Sequence, residues 1–277
     1  MSAQPMASSN PAFSRNEAFG ARGAVASSQA LSDNDLQSMY NRPSAGSQDT
    51  ERMTYEDTIT KTGLGFALLL VAAVISWVAT PVLPFLFILG AIAGFVLGLV
   101  NTFKKEPSAP LILAFGAAQG LFVGGISSVF EVIYPGIVTQ AVLATLVVVV
   151  VTLLLFKSGK IRASKKATKV FLIAMVGYGV FSLVNLGMMI FGGTDQAFGM
   201  RSASISILGI DLKLGVVIGI LAVLMAAYSL VLDFDFIQKG VNNRLPRKYG
   251  WSGAFGIMMT VVWLYVELLR IFALTRE

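Results

Sequence analysis

The sequence predicts an all-α membrane protein, a bundle of seven transmembrane helices. Three observations carry this. The chain divides into long uncharged apolar runs joined by polar connections. Only 13% of its residues are charged and 55% are hydrophobic, whereas soluble domains carry about 25% charged residues. Lys and Arg are also concentrated in alternate connections, as the positive-inside rule requires. The runs are apolar all round rather than alternating, so the backbone must be satisfied within helices and a transmembrane barrel is excluded.

Two segments are expected: a disordered cytoplasmic tail over 1–54 and a seven-helix transmembrane domain over 55–277. The tail is rich in Ser, Ala, Asn, Gly and Gln and has no apolar period. It lacks the apolar core of a signal peptide. Ser9-Asn10-Pro11-Ala12-Phe13 reads as inert linker, with a short docking motif as the alternative.

The first span covers roughly Leu64 to Ala79, after a preamble from Tyr55 to Lys61, and Pro81 and Pro84 break the chain into a tight turn. The second covers roughly Phe85 to Val100; both are short for a hydrocarbon core of about 30 Å and should extend into their flanks. A loop with Lys104 and Lys105 leads to the third span, roughly Leu111 to Phe130, and a turn from Glu131 to Gly136 to the fourth, roughly Ile137 to Phe156. Lys157 to Lys169 is the most basic loop, and the fifth span runs roughly from Val170 to Phe191. Gly192 to Lys213 is the longest connection, and the alternation from Ile205 to Asp211 fits a small hairpin. The sixth span, Leu214 to Leu232, and the seventh, Trp251 to Leu274, flank a basic loop. The loop charges place the N-terminus in the cytoplasm and the C-terminus outside. The net charge of +6 is explained by this topology and needs no nucleic-acid partner.

The chain has no cysteine and no histidine, which excludes disulfides, thiolate nucleophiles, Cys/His metal sites and His-based triads. Oxygen-ligand chemistry with protons or hard cations such as Ca²⁺ is left. Three acids stand where they are costly, by about 2.5–3.5 kcal/mol on insertion scales: Asp233 and Asp235 at the end of the sixth span, and Glu267 inside the seventh. The two aspartates lie about 200° apart on a helix, so one faces the bundle while the other caps the interface. Glu267 falls about 18 Å along a span that begins near Phe255, beyond the midplane. Arg270 follows it at i+3 on the same face. Gln119 and Asn185 are the polar span residues best suited to line a path, while Ser127, Ser128, Gln140, Thr145 and Ser229 read as interhelical hydrogen bonds. Gly116, Gly120 and Gly124 form a small-residue stripe for close helix packing. Tyr178, Trp263 and Tyr265 read as core aromatics.

Leu264-Tyr265-Val266-Glu267-Leu268-Leu269-Arg270-Ile271-Phe272 resembles the last-helix motif of the Bax inhibitor-1 family, the transmembrane BAX inhibitor motif proteins. Leu232-Asp233-Phe234-Asp235 resembles the penultimate-helix motif, and Gln119-Gly120-Leu121-Phe122-Val123-Gly124 a third-helix pattern. Phe130 to Val138 is similar to a bacterial, actinobacterial branch. The resemblance covers about Tyr55 to the C-terminus. It implies a seven-helix bundle with the last helix central and a proton-sensitive Ca²⁺ leak gated by an acid pair between helices six and seven. Carried over, Glu267 stands at the last-helix aspartate and Asp235, with Asp233 second, at the helix-six aspartate. The chain departs from the pattern in having Glu rather than Asp at 267, Gln rather than Glu at 119, and a longer separation between its last two motifs.

The expected function is therefore a pH-sensitive calcium leak channel, gated by protonation of Asp233 or Asp235 with Glu267, and with Gln119, Asn185 and Arg270 lining the path. The expected partners are the bilayer, Ca²⁺ or protons, and membrane proteins; no cofactor is expected beyond Ca²⁺ as the permeant ion. A non-transporting membrane regulator that binds other membrane proteins is the alternative, motivated by the small-residue stripe and the paucity of intramembrane charge. An enzyme is not expected: an intramembrane aspartyl protease needs two acids around one water, and nothing beyond Asp and Glu points to it.

Overall fold

The computed structural model describes residues 52–193, 196–207 and 210–276. These belong to one compact unit, Thr50–Glu277. The expectations for residues 1–51, the Ser9 to Phe13 motif included, lie outside the described residues.

Seven long helices follow one another: α1 (Tyr55–Ala79), α2 (Leu86–Phe103), α3 (Ala109–Ile133), α4 (Ile137–Lys157), α5 (Lys165–Ile190), α6 (Leu214–Asn242) and α7 (Gly250–Leu274). Among the described residues these are the helices long and apolar enough to cross a membrane. A hairpin of β1 (Ser204–Ile207) and β2 (Ile210–Lys213) lies between α5 and α6, in antiparallel register from Ser204 opposite Lys213 to Ile207 opposite Ile210. The alternation read in the sequence is thus a hairpin.

Several helices begin earlier or end later than their apolar runs because polar caps sit outside those runs. Thr54 caps α1 by accepting a hydrogen bond from the Asp57 amide at 3.2 Å, and Glu56 and Asp57 complement the dipole of its first turn, so the preamble is helical. Ser164 caps α5 in the same way at the Ala167 amide, so Lys165, Lys166 and Lys169 belong to the helix rather than to a loop. Glu131 is still within α3, and its carboxylate accepts from the Gly136 and Val138 amides at 2.6 and 3.0 Å, at the start of α4. α6 continues to Asn242, which puts Asp233 and Asp235 inside a helix rather than at its end.

The last helix is central. Of its most apolar stretch 56% is buried, against 11–39% in the other six. It packs against α6, α1, α4 and α3. Each apolar cluster of the core contains it: Tyr265, Leu269 and Ala273 with Ile137 and Ala141; Leu264 and Leu268 with Ala226 and Leu230; Met258 with Ile112 and Phe115.

Glycine stripes set the close contacts. The buried residues of α2 are Gly90, Gly94 and Gly98, at four-residue spacing against α3. On α3, Gly120 and Gly124 press on α1, where an added Cβ would overlap the Leu69 carbonyl and the Ala73 backbone. The stripe on α3 is therefore covered by α1, so it is not a free surface for another protein.

At the end of the bundle where α7 begins, residues 52–54, expected in the tail, are docked. Arg52 forms a bridge with Pro246, the Met53 amide donates to the Leu245 carbonyl at 2.7 Å, and Met53 is buried. Asp57 pairs there with Lys61 and, at 2.8 Å, with Arg247, and Lys61 donates to the Arg247 carbonyl at 2.7 Å.

Candidate functional site

α7 carries Thr260 and Glu267 on one face. Seven residues rotate a helix by about 700°, so the two side chains point within about 20° of each other and stand about 10.5 Å apart along the axis. Each meets a polar group from a neighbouring element, in two separate layers.

The first layer is built by α6. Asp233 and Ser229, four residues apart, face α7 together. Thr260 donates to the Asp233 carboxylate at 2.7 Å, and Ser229 lies 3.2 Å from the Thr260 hydroxyl. The carboxylate rests on α7 at Gly256, where a Cβ would stand 2.5 Å from its oxygen; only glycine allows this approach. Among the described residues no Lys or Arg forms an ion pair with Asp233.

This corrects the choice of helix-six residue. Asp235, preferred on the motif, turns away from α7 and pairs with Lys239 at 2.6 Å, with its side chain 17% exposed. Two residues about 200° apart cannot share one direction, and the one that faces the central helix is Asp233. The partner expected on α7 also changes. Opposite Asp233 stands Thr260, not Glu267, which lies two turns further on. Asp233 and Glu267 therefore do not share a proton here.

The second layer surrounds Glu267, which is 1% exposed. Arg270 donates to it at 2.6 Å, Tyr178 at 2.7 Å and Arg201 at 3.2 Å. The carboxylate is fully partnered, and the i+3 contact with Arg270 is formed as the spacing predicts. Arg201 also donates to Ser182 at 3.0 Å and lies over the rings of Tyr178 and Phe181. Sequence reasoning missed Arg201 and Tyr178 as partners, reading one as a loop charge and the other as a core aromatic. The available signal was a single Arg in the connection between the fifth and sixth spans, and that signal carries no distance.

Arg201 reaches Glu267 because a 3-10 turn, Gly199–Ser202, folds back into the bundle. Gly199 has φ +61°, which a side chain rarely tolerates. Asn185 holds the turn: its carbonyl accepts from the Met200 amide at 2.7 Å and its amide donates to the Phe198 carbonyl at 3.2 Å. Asn185, Arg201 and Arg270 line a cavity of about 490 Å³. Gln119 lies elsewhere, on the α2–α3 contact, where a Cβ on Gly94 would stand 2.9 Å from its amide nitrogen. Among the described residues no three acids converge as a metal site would require.

These features define a multi-pass membrane protein organised on its last helix, with one carboxylate facing that helix and free of ion pairs among the described residues, and a second held by two arginines. The Bax inhibitor 1 like family profile matches residues 10–277, so the chain belongs to that family. The match begins far upstream of Tyr55, in the segment that the sequence motifs leave out. No curated protein matches the chain.

Proposed function

We propose that the protein is an acid-sensitive leak pathway for cations, Ca²⁺ among them, and that Asp233 is the group whose protonation shuts it. The observation that supports this is the position of Asp233: within an apolar helix, against the central helix, hydrogen-bonded by a hydroxyl and not ion-paired among the described residues. An ionisable group so placed is expensive to keep and marks a pathway or proton site by default. The polar groups facing it are Ser229 on its own helix and Thr260 on α7. Ionised, Asp233 attracts a cation; protonated, it loses that attraction and gains a proton to donate to its hydroxyl neighbours. Glu267, neutralised by its arginines, anchors structure and is not the sensor. The family is one of generally non-enzymatic membrane proteins, and this reading assigns no catalysis. The membrane is a bacterial plasma membrane, with the N-terminus in the cytoplasm and the C-terminus outside. The regulator reading loses one of its two motivating features, because α1 covers the stripe on α3.

The test is Ca²⁺ flux into proteoliposomes over a pH series from acid to neutral. The wild-type flux should rise with pH and the Asp233→Asn flux should not vary with it. An unchanged pH response in Asp233→Asn, or no flux above empty liposomes, overturns the proposal.

A further inference from the structure

We propose that the cavity beside Arg270 is a binding site for an anionic membrane lipid, with the headgroup phosphate on the Arg270 guanidinium and an acyl chain along the apolar wall.

The cavity has a volume of about 490 Å³, within the usual range of about 300–1,000 Å³ for ligand pockets. It lies between α3, α5, α7 and the 3-10 turn. Arg201, Arg270, Tyr178, Ser182 and Asn185 supply its polar groups; the rest of the lining is apolar, including Phe130, Leu186 and Met189. The charge of these groups does not balance among the described residues: two guanidinium groups share the one Glu267 carboxylate. Arg201 donates to Glu267 through Nη1 and to Ser182 through Nη2, and its side chain is only 4% exposed, so it is walled off from a ligand. Arg270 engages Glu267 and Tyr178 through Nη1 alone, and its side chain is 26% exposed on the cavity. Its remaining N–H groups form half of the planar fork that matches a phosphate.

Two features favour a lipid over a soluble anion. α5 packs on the 3-10 turn and α6, meets α7 through Tyr178, and has only 11% of its most apolar stretch buried. The cavity is thus walled on one side by the helix that buries least of its apolar surface in the bundle and so offers most of it to acyl chains. Arg270 also stands four residues before the end of α7, about 6 Å below it, which is the depth at which an arginine reaches headgroups.

The experiment is native mass spectrometry of the purified full-length protein with phosphatidylglycerol, with phosphatidylcholine of the same acyl chains, and with phosphatidylglycerol plus excess inorganic phosphate. The wild type should retain one phosphatidylglycerol under activation that strips phosphatidylcholine. Arg270→Gln should weaken that retention by at least about tenfold, the loss of a charge-assisted contact. Leu186→Trp fills the apolar wall without touching any hydrogen bond of Arg270, so it should also expel the lipid from a folded protein. Lys165→Gln combined with Lys169→Gln alters a separate cavity at the other end of α5 and should leave retention unchanged. Equal retention of both lipids, full retention in Arg270→Gln or in Leu186→Trp, loss in the lysine double variant, or displacement by inorganic phosphate each overturns the proposal. None of these readouts depends on ion flux.

Discussion

Glu267→Gln should destabilise the fold strongly, and a double-mutant cycle with Arg201 should show why. The Glu267 and Arg201 side chains are 1% and 4% exposed, so loss of the acid strands a guanidinium out of water. Breaking such a pair from one side costs about 3–5 kcal/mol. Glutamine still accepts a bond from Tyr178, and the Arg270 side chain is already 26% exposed, so the lower figure applies. About 3 kcal/mol corresponds to a fall in Tm of about 6–12 °C for a protein of this size. Arg201→Gln leaves Glu267 with Arg270 and Tyr178 and should cost about half as much, the worth of one hydrogen bond to a charged group. The double variant strands nothing, so its loss should fall short of the sum by about 2 kcal/mol. The assay is thermal unfolding in one detergent, followed by circular dichroism. A Glu267→Gln variant within about 2 °C of wild type, or losses that simply add, would refute this account of Glu267 as an anchor. Below its Tm, the variant should also keep the pH response that Asp233→Asn loses.

Gly124→Ala should lower Tm, because its Cβ would overlap the Ala73 backbone and force α1 and α3 apart at a cost of about 1–3 kcal/mol; Gly177→Ala, with nothing near its Cβ, should not, and equal behaviour of the two would contradict the packing described. Asn185→Ala should release the 3-10 turn, read as faster hydrogen exchange at the Met200 amide, and unchanged exchange would show that the turn is held otherwise. Lys248, 2.8 Å from Glu106, holds that carboxyl below the usual glutamate range. A lowered folded-state value gives stability above the ordinary glutamate range that is lost as pH falls through the folded value. The pair is at the surface and screened, so Glu106→Gln at neutral pH in high salt should leave Tm unchanged, and a clear drop there would mean the pair is worth more than exposed pairs usually are.

The helices were legible because each apolar run is longer than a soluble helix needs, and the hairpin because its residues alternate. Helix ends were less legible: Thr54, Ser164 and Glu131 act as caps from outside the apolar runs, and hydropathy does not see them. The sequence singled out the acids within the spans but not their partners. Helical spacing gives the contact of Glu267 with Arg270, three residues away, and it says that only one of Asp233 and Asp235 can face α7. It cannot say which, because that depends on the rotation of α6, fixed here by Gly215 and Gly219 packing on the C-terminal end of α7 and by Asp233 on Gly256. Arg201 is 66 residues from Glu267, and only the fold-back of a short turn brings them together.

The order of charges along α7 constrains any passage through the bundle. A cation drawn to Asp233 would next meet the layer around Glu267, where, among the described residues, two guanidinium groups outnumber one carboxylate. In a medium of low dielectric that excess repels a divalent ion far more than it would in water. One of the two arginines must therefore leave before a cation can pass on this side. Arg270 is fixed to the central helix, whereas Arg201 rides on a four-residue turn held by Asn185 and by the backbone of Gly199. The element free to move is the turn. Attraction at Asp233 and release of Arg201 then act in series, so Asn185→Ala should raise cation flux at every pH while leaving its pH midpoint in place. A shifted midpoint would mean that the two layers are one coupled unit.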